Sequence, residues 1–290
     1  MERKIIHVIG TGTIGEPLIG LLCDYQEHLG IDEITFHKNL ATLNDKSKIT
    51  DLLNRGARLC VDGNKVNEFK KTGLDPDLET EESIMRASVI IDCTPKGVGQ
   101  TNKKKYYERF TKDVRGFLAQ GSEDGFGNKY ARGINDKILK NSDQFIQIVS
   151  CNTHNIAAIT KTIAIGDDPD NLIEGKYVCI RRANDLSQSN NFIPSPQVGT
   201  HSSEKHGSHH AADAAGLFST LAYDLNLFSS AMKVNSQYMH VLWFNLKVKE
   251  PITLSLVKEK LRENKLIALT RKDLTSTVFS FGRDNGHYGR

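Results

Sequence analysis

Near its start the chain runs through a short apolar segment, residues 5–9, straight into Gly10-Thr11-Gly12-Thr13-Ile14-Gly15, and a helical pattern through Leu18, Leu21, Leu22 and Tyr25 follows. No other feature limits the possible folds as much. The apolar run alternates too little for a half-exposed strand and reads as a buried parallel one. Glycines at the spacing G-x-G-x-x-G, between such a strand and a helix, let backbone approach a pyrophosphate whose charge meets the helix N-terminus. A glycine turn that binds nothing has the same local sequence; the strand before it and the helix after it favour a dinucleotide.

The rest of the chain repeats the alternation. Strands are expected at residues 33–36, at 88–93 ending in Thr94-Pro95, at 116–119 closed by Gln120-Gly121, and at 144–149, which leads into Ser150-Cys151-Asn152-Thr153. Strands separated by helical segments argue for a parallel sheet wound with helices. After Cys151 the character changes: a helix through Ile156, Ile159 and Ile163, a strand at 177–180, a long polar loop from Asn184 to His210, and a strand at 239–248. The 290 residues suggest two domains. The fold class expected is α/β: a Rossmann-type doubly wound parallel sheet over residues 1–150, then an α+β catalytic domain over 151–290.

Composition narrows the function classes. With 38% hydrophobic and 25% charged residues and a net charge of +3, the chain is too apolar for disorder and too evenly charged for a nucleic-acid tail. No run approaches the roughly 20 apolar residues of a membrane span, and no secretory pattern stands at the N-terminus. Five widely spaced cysteines without a C-x-x-C pair fit a reducing compartment, so a cytoplasmic location is expected.

Several residues carry chemistry. The second strand ends Thr35-Phe36-His37-Lys38-Asn39, with a cation where binders of NAD usually place a carboxylate, so Lys38 points to the 2′-phosphate of NADP. A strand-end lysine that is merely solvated is the plain alternative. Cys151 stands just past a strand, where a helix N-terminus would lower a thiol's pKa and make it a nucleophile; a buried structural cysteine is the alternative. His240 offers a base. Arg181-Arg182 and Ser208-His209-His210 offer donors for a phosphorylated substrate. A metal cluster of His206, His209 and His210 is disfavoured, because glycine and serine flanks argue for a loop and no carboxylate pattern supports it; no metal is expected.

These segments, with Thr94-Pro95-Lys96-Gly97-Val98-Gly99 and Met239-His240-Val241, lie in one order along nearly the whole chain. In that order they resemble the archaeal-type glyceraldehyde-3-phosphate dehydrogenases. The resemblance implies phosphorylating oxidation of glyceraldehyde 3-phosphate, or its reversal, with inorganic phosphate, with NADP and NAD both usable, in a homotetramer. It implies that Cys151 attacks the aldehyde and that His240 activates the thiol and takes the proton as hydride leaves. It assigns substrate contacts to Ser150, Cys151, Asn152, His210 and Ala211, to which the reading of the residues adds His209. It assigns cofactor contacts to Thr13, Ile14, Gly121 and Arg182; with Gly10, Gly12 and Gly15 of the glycine turn, Lys38, and Thr94 and Pro95 after the 88–93 strand, these make up the expected cofactor site.

Some positions depart from the family pattern. Ala211 stands for the usual glycine and His154 for a small residue, while residues 199–207 look like an insertion. The catalytic domain is expected to be truncated at its C-terminal end. Two alternatives to the dehydrogenase remain: a semialdehyde or acyl-phosphate reductase using the same thioester chemistry, and a catalytically silent NADP-binding relative.

Overall fold

Twelve strands and ten α-helices, with short 3-10 segments and a π-helical turn, make up the regular structure of the computed structural model, which describes residues 3–121, 123–140, 143–184 and 192–286. The strands are β1 (Ile5–Ile9), β2 (Glu33–His37), β3 (Arg58–Val61), β4 (Leu78–Glu79), β5 (Val89–Asp92), β6 (Gly116–Gln120), β7 (Asn128–Tyr130), β8 (Phe145–Ile148), β9 (Leu172–Arg181), β10 (Gln197–Val198), β11 (Leu227–Lys233) and β12 (Val241–Val248). The helices are α1 (Gly15–Asp24), α2 (Gln26–Leu29), α3 (Lys46–Asn54), α4 (Val66–Lys71), α5 (Thr80–Arg86), α6 (Val98–Lys105), α7 (Cys151–Ile159), α8 (His209–Ser219), α9 (Leu254–Glu263) and α10 (Thr275–Asp284). The chain divides into two compact units, Met1–Asn128 with Ser142–Ile148, and Lys129–Asn141 with Val149–Arg290.

In the first unit the sheet order is β4-β3-β2-β1-β5-β6-β8, and all of these pairings are parallel. Strand order reverses at β1, so β1 and β5 flank a topological switch point, where open α/β sheets bind ligands at the carboxyl ends of their strands. The strands read as apolar runs because both sheet faces are covered. Val8, Ile34, Phe36, Leu59 and Val61 pack with Ile19, Ile49, Leu52 and Phe69 of the helices. A second cluster holds Ile90, Tyr107, Phe117 and Phe126. The α/β class expected from the alternation of apolar runs is the class observed.

The second unit carries a mixed four-stranded sheet, β10-β11-β9-β12, with β11 parallel to β9 and β12 antiparallel to it. The buried Tyr177, Cys179, Leu227 and Ala231 of the sheet cluster with Ile156 and Ala157 of α7 and with Ala211, Ala214, Leu217 and Phe218 of α8.

Local differences from the sequence reading have physical causes. β11 was not anticipated because Ser229 and Ser230 interrupt its apolar run, yet Ser229 is fully buried and bonded at Ser208 and Ala211. The segment expected as one polar loop to His210 lies outside the described residues at 185–191. Beyond them it forms β10, a bridge between Ser203 and Gly207, and the first turn of α8. His209 and His210 are therefore helical, not loop residues, because Ser208 takes the extended N-cap conformation that starts a helix. His240 lies just before β12, one residue short of the strand expected to contain it.

Candidate active site

The glycine turn in the first unit is built by close backbone packing. Gly10, at φ +94°, donates its N–H to the His37 carbonyl at 3.3 Å, and a Cβ on it would meet the Cys93 carbonyl at 3.1 Å. A Cβ on Gly15 would lie 1.9 Å from the Gly10 carbonyl oxygen, so only glycine lets α1 start so close to β1. Gly12 is different: a Cβ there meets nothing within 4 Å, which leaves that side of the turn open.

Ile14 caps α1 without any side-chain hydrogen bond. At α6 the buried Glu123 carboxylate accepts from the backbone N–H groups of Gly97 and Gln100 and fills that N-terminus with an internal anion. The turn at the start of α1, with open space at Gly12, fits a pyrophosphate. Thr94 and Pro95 follow β5, and Gly121, at φ +82°, follows β6. The first unit thus brings Gly10, Gly12, Thr13, Ile14, Gly15, Lys38, Thr94, Pro95 and Gly121 to the carboxyl ends of β1, β2, β5 and β6. Lys38 is already engaged there: its Nζ donates to Asp45 Oδ2 at 2.6 Å. Arg182, the remaining expected cofactor contact, belongs to the second unit.

In the second unit Ser150 is the N-cap of α7 and Cys151 its first residue, with the thiol exposed. Ser150 Oγ and Thr153 Oγ1 are 3.0 Å apart. The Asn152 side chain is buried, and its Oδ1 has no hydrogen-bond partner among the described residues. An orphaned buried acceptor beside a thiol is what a bound ligand would satisfy. His154 Nδ1 donates to the Val149 carbonyl at 3.1 Å, and burial lowers its pKa, so this residue is a structural fixture of the turn.

His209 and His210 open α8 with their rings 3.9 Å apart. His210 is only 3% exposed, and neither ring nitrogen has a partner among the described residues. Burial, helped by the charges of His209, Arg181 and His240, pushes its pKa down to about 3, so the ring is neutral. Those three groups and His210 therefore share one electrostatic neighbourhood. Cys179, buried on β9, is coupled in turn to Arg181 and Cys151. Ala211 donates its backbone N–H to Ser229 Oγ at 3.0 Å, which anchors the start of α8 to β11.

His240 is fixed by backbone. The Arg182 N–H donates to His240 Nδ1 at 3.2 Å, so the neutral ring carries its proton on Nε2. Two residues earlier Tyr238 adopts φ +75°, a left-handed conformation costly for an aromatic residue. Its carbonyl accepts from the Arg182 guanidinium at 3.3 Å, and its ring rests against Phe279. Arg181, missing from the family-implied contact set, joins the cluster through His210 and Cys179, and its buried Nε has no partner among the described residues. The only sequence signal for it was the Arg181-Arg182 doublet. No group of His, Cys, Asp and Glu able to hold a metal occurs among the described residues, and no helix there is long and apolar enough to cross a membrane.

No family model matches the chain. Curated relatives do. The chain is 26% identical to glyceraldehyde-3-phosphate dehydrogenase 1 of Methanosarcina barkeri over 98% of its own length and 79% of that protein. It is 27% identical to glyceraldehyde-3-phosphate dehydrogenase 2 of Methanosarcina acetivorans over 96% and 77%. The glyceraldehyde-3-phosphate dehydrogenase of Pyrobaculum islandicum is 24% identical over 83% of the chain, and the match spans 66% of its length, just under two thirds. In sequence the chain is thus similar, along most of its length, to the glyceraldehyde-3-phosphate dehydrogenases of archaea, and its first unit has a Rossmann-like parallel sheet.

Proposed function

We propose that the chain oxidises glyceraldehyde 3-phosphate with inorganic phosphate to 1,3-bisphosphoglycerate, or runs the reverse reaction, through a thioester on Cys151, with NAD or NADP as hydride carrier. One observation carries this reading: an exposed thiol at the first turn of α7 belongs to the same unit as a buried neutral His210, Arg181 and a tautomerically fixed His240. An anionic aldehyde needs such a set, with a nucleophile, donors for the oxyanion and donors for a phosphoryl group.

In this reading the exposed Cys151 thiol releases its proton to solvent. The sulfur forms a bond to the aldehyde carbon while the carbonyl π pair moves onto oxygen as an alkoxide. His240 donates from Nε2 to that alkoxide, because its Nδ1 is occupied by the Arg182 N–H. This differs from the proton-accepting role the resemblance implies: a ring with Nδ1 engaged has no lone pair left on Nε2. A nicotinamide dinucleotide, when bound, supplies the acceptor for the hydride that leaves as the alkoxide collapses to the thioester. A phosphate oxygen then attacks the thioester carbonyl and the Cys151 thiolate departs. Arg181 and His210 serve as donors to the phosphoryl groups.

A homotetramer working in a reducing cytoplasm completes the proposal, in keeping with five unpaired cysteines. The test is nucleotide reduction with glyceraldehyde 3-phosphate and phosphate, run beside Cys151→Ser, with light scattering for the oligomeric state. Equal rates in the two proteins would remove the thioester mechanism.

A further inference from the structure

We propose that Asp45 decides which nucleotide the first unit accepts: held on Lys38 as an internal anion, it turns the site away from a 2′-phosphorylated ribose and toward NAD. The inference rests on the dinucleotide reading of the glycine turn. In folds of this kind the adenosine ribose lies at the end of the second strand, beside the first glycine. Here Gly10 is bonded directly to His37, the last residue of β2, and Lys38 follows it.

By charge alone Lys38 is the residue a 2′-phosphate would seek. Its Nζ instead donates to Asp45 Oδ2 at 2.6 Å, in a pair whose side chains are only 14% and 27% exposed. Thr42 Oγ1 donates to the same oxygen at 2.8 Å. On its other side Asp45 Oδ1 lies 3.4 Å from Lys48 Nζ, which also pairs with Glu16 in the first turn of α1 at 3.0 Å. Lys65, the remaining nearby cation, donates to the Asn39 carbonyl at 2.9 Å and to the Asn39 side chain.

Lys38 and Lys48 are therefore both paired, with Asp45 and with Asp45 and Glu16, and neither is left as an uncompensated cation for a phosphate dianion. Asp45 stays ionised at any working pH, because the Lys38 hydrogen bond holds its pKa down to about 2. To reach Lys38 a 2′-phosphate must displace a carboxylate and then sit beside it, a like-charge contact that a ribose hydroxyl never makes.

Binding of NADH and NADPH to the full chain, followed by nicotinamide fluorescence, tests this in the unaltered protein, Asp45→Asn, Lys38→Met and the double variant. The unaltered chain should bind NADH more tightly than NADPH. Asp45→Asn should shift the ratio of dissociation constants toward NADPH by tenfold or more, and adding Lys38→Met should cancel that gain. On its own Lys38→Met should change the ratio less than threefold, because the lysine is already engaged. A ratio in Asp45→Asn within twofold of the unaltered chain, with NADH still bound, overturns the inference and leaves the dinucleotide reading standing. A gain that survives Lys38→Met overturns it as well. Failure of every variant to bind either nucleotide overturns both readings together.

Discussion

The backbone N–H of Arg182, one residue past β9, donates to Nδ1 of His240, one residue before β12, at 3.2 Å. The bond extends the antiparallel pairing of those strands and makes a main-chain group choose the tautomer of a candidate catalytic side chain. A ring so held can donate from Nε2.

Replacing His240 separates a donor from a base. His240→Ala should lower kcat by about 10²–10³, the usual cost of losing one donor to an oxyanion. Glutamine places an amide N–H near the position of Nε2 and cannot accept a proton there. His240→Gln should therefore recover at least about tenfold of the loss if donation is the role. Equal kcat values for the two variants would speak for a proton-accepting role instead.

Thiol reactivity should single out one cysteine of five. Cys151 is exposed, whereas burial pushes the Cys60 thiol up to about 11 and those of Cys93 and Cys179 up to about 12. The half-buried Cys23 is raised by the same cause. A chromogenic disulfide reagent should titrate a single thiol rapidly in the native protein, all five in denaturant, and no rapid one in Cys151→Ser. A rapid native thiol that persists in that variant would contradict the assignment.

Acid should destabilise the fold through buried histidines. His7, fully buried on β1 with Nδ1 2.7 Å from Thr35 Oγ1, is held down to about 3 by burial, as is His210. Unfolded, each titrates near 6.5, so between roughly pH 6.5 and 3 the unfolded chain binds protons that the folded chain does not. Stability is complete above that window and is lost as pH falls through it, by about 2 kcal/mol per histidine between pH 7 and pH 5. His7→Asn, which can keep the bond to Thr35, should reduce the fall in urea-unfolding free energy by about that amount. An unchanged fall would show that His7 is not held neutral.

Two glycines of one turn should respond differently to a methyl group. Gly15→Ala places Cβ 1.9 Å from a backbone oxygen, and about 1–3 kcal/mol of stability should be lost. Gly12→Ala meets no protein atom within 4 Å, so thermal stability should hold while NADH binding weakens tenfold or more. Retention of NADH affinity in Gly12→Ala would show that nothing approaches the turn from its open side.

Local sequence alone determined the parallel sheet: Ile5–Ile9 followed by three spaced glycines has few other ways to satisfy its backbone and bury its side chains. It also determined Cys151 as a helix start, since residues 145–148 end a strand and Ser150 can cap a helix that begins at the next residue. Tertiary structure decided the rest. Ser229 became an inward strand residue because Ser208 and Ala211 supplied partners from α8, a pairing across about 20 positions that no local pattern encodes. Arg181 entered the cluster because β9 brings it near His210, and His240 acquired a fixed tautomer because strands distant in sequence lie side by side. Lys38 reads as an unpaired strand-end cation in the sequence, and the fold pairs it with Asp45 seven residues further on. Periodicity reports which face of an element is apolar, whereas partnerships between polar groups depend on which elements the fold makes neighbours.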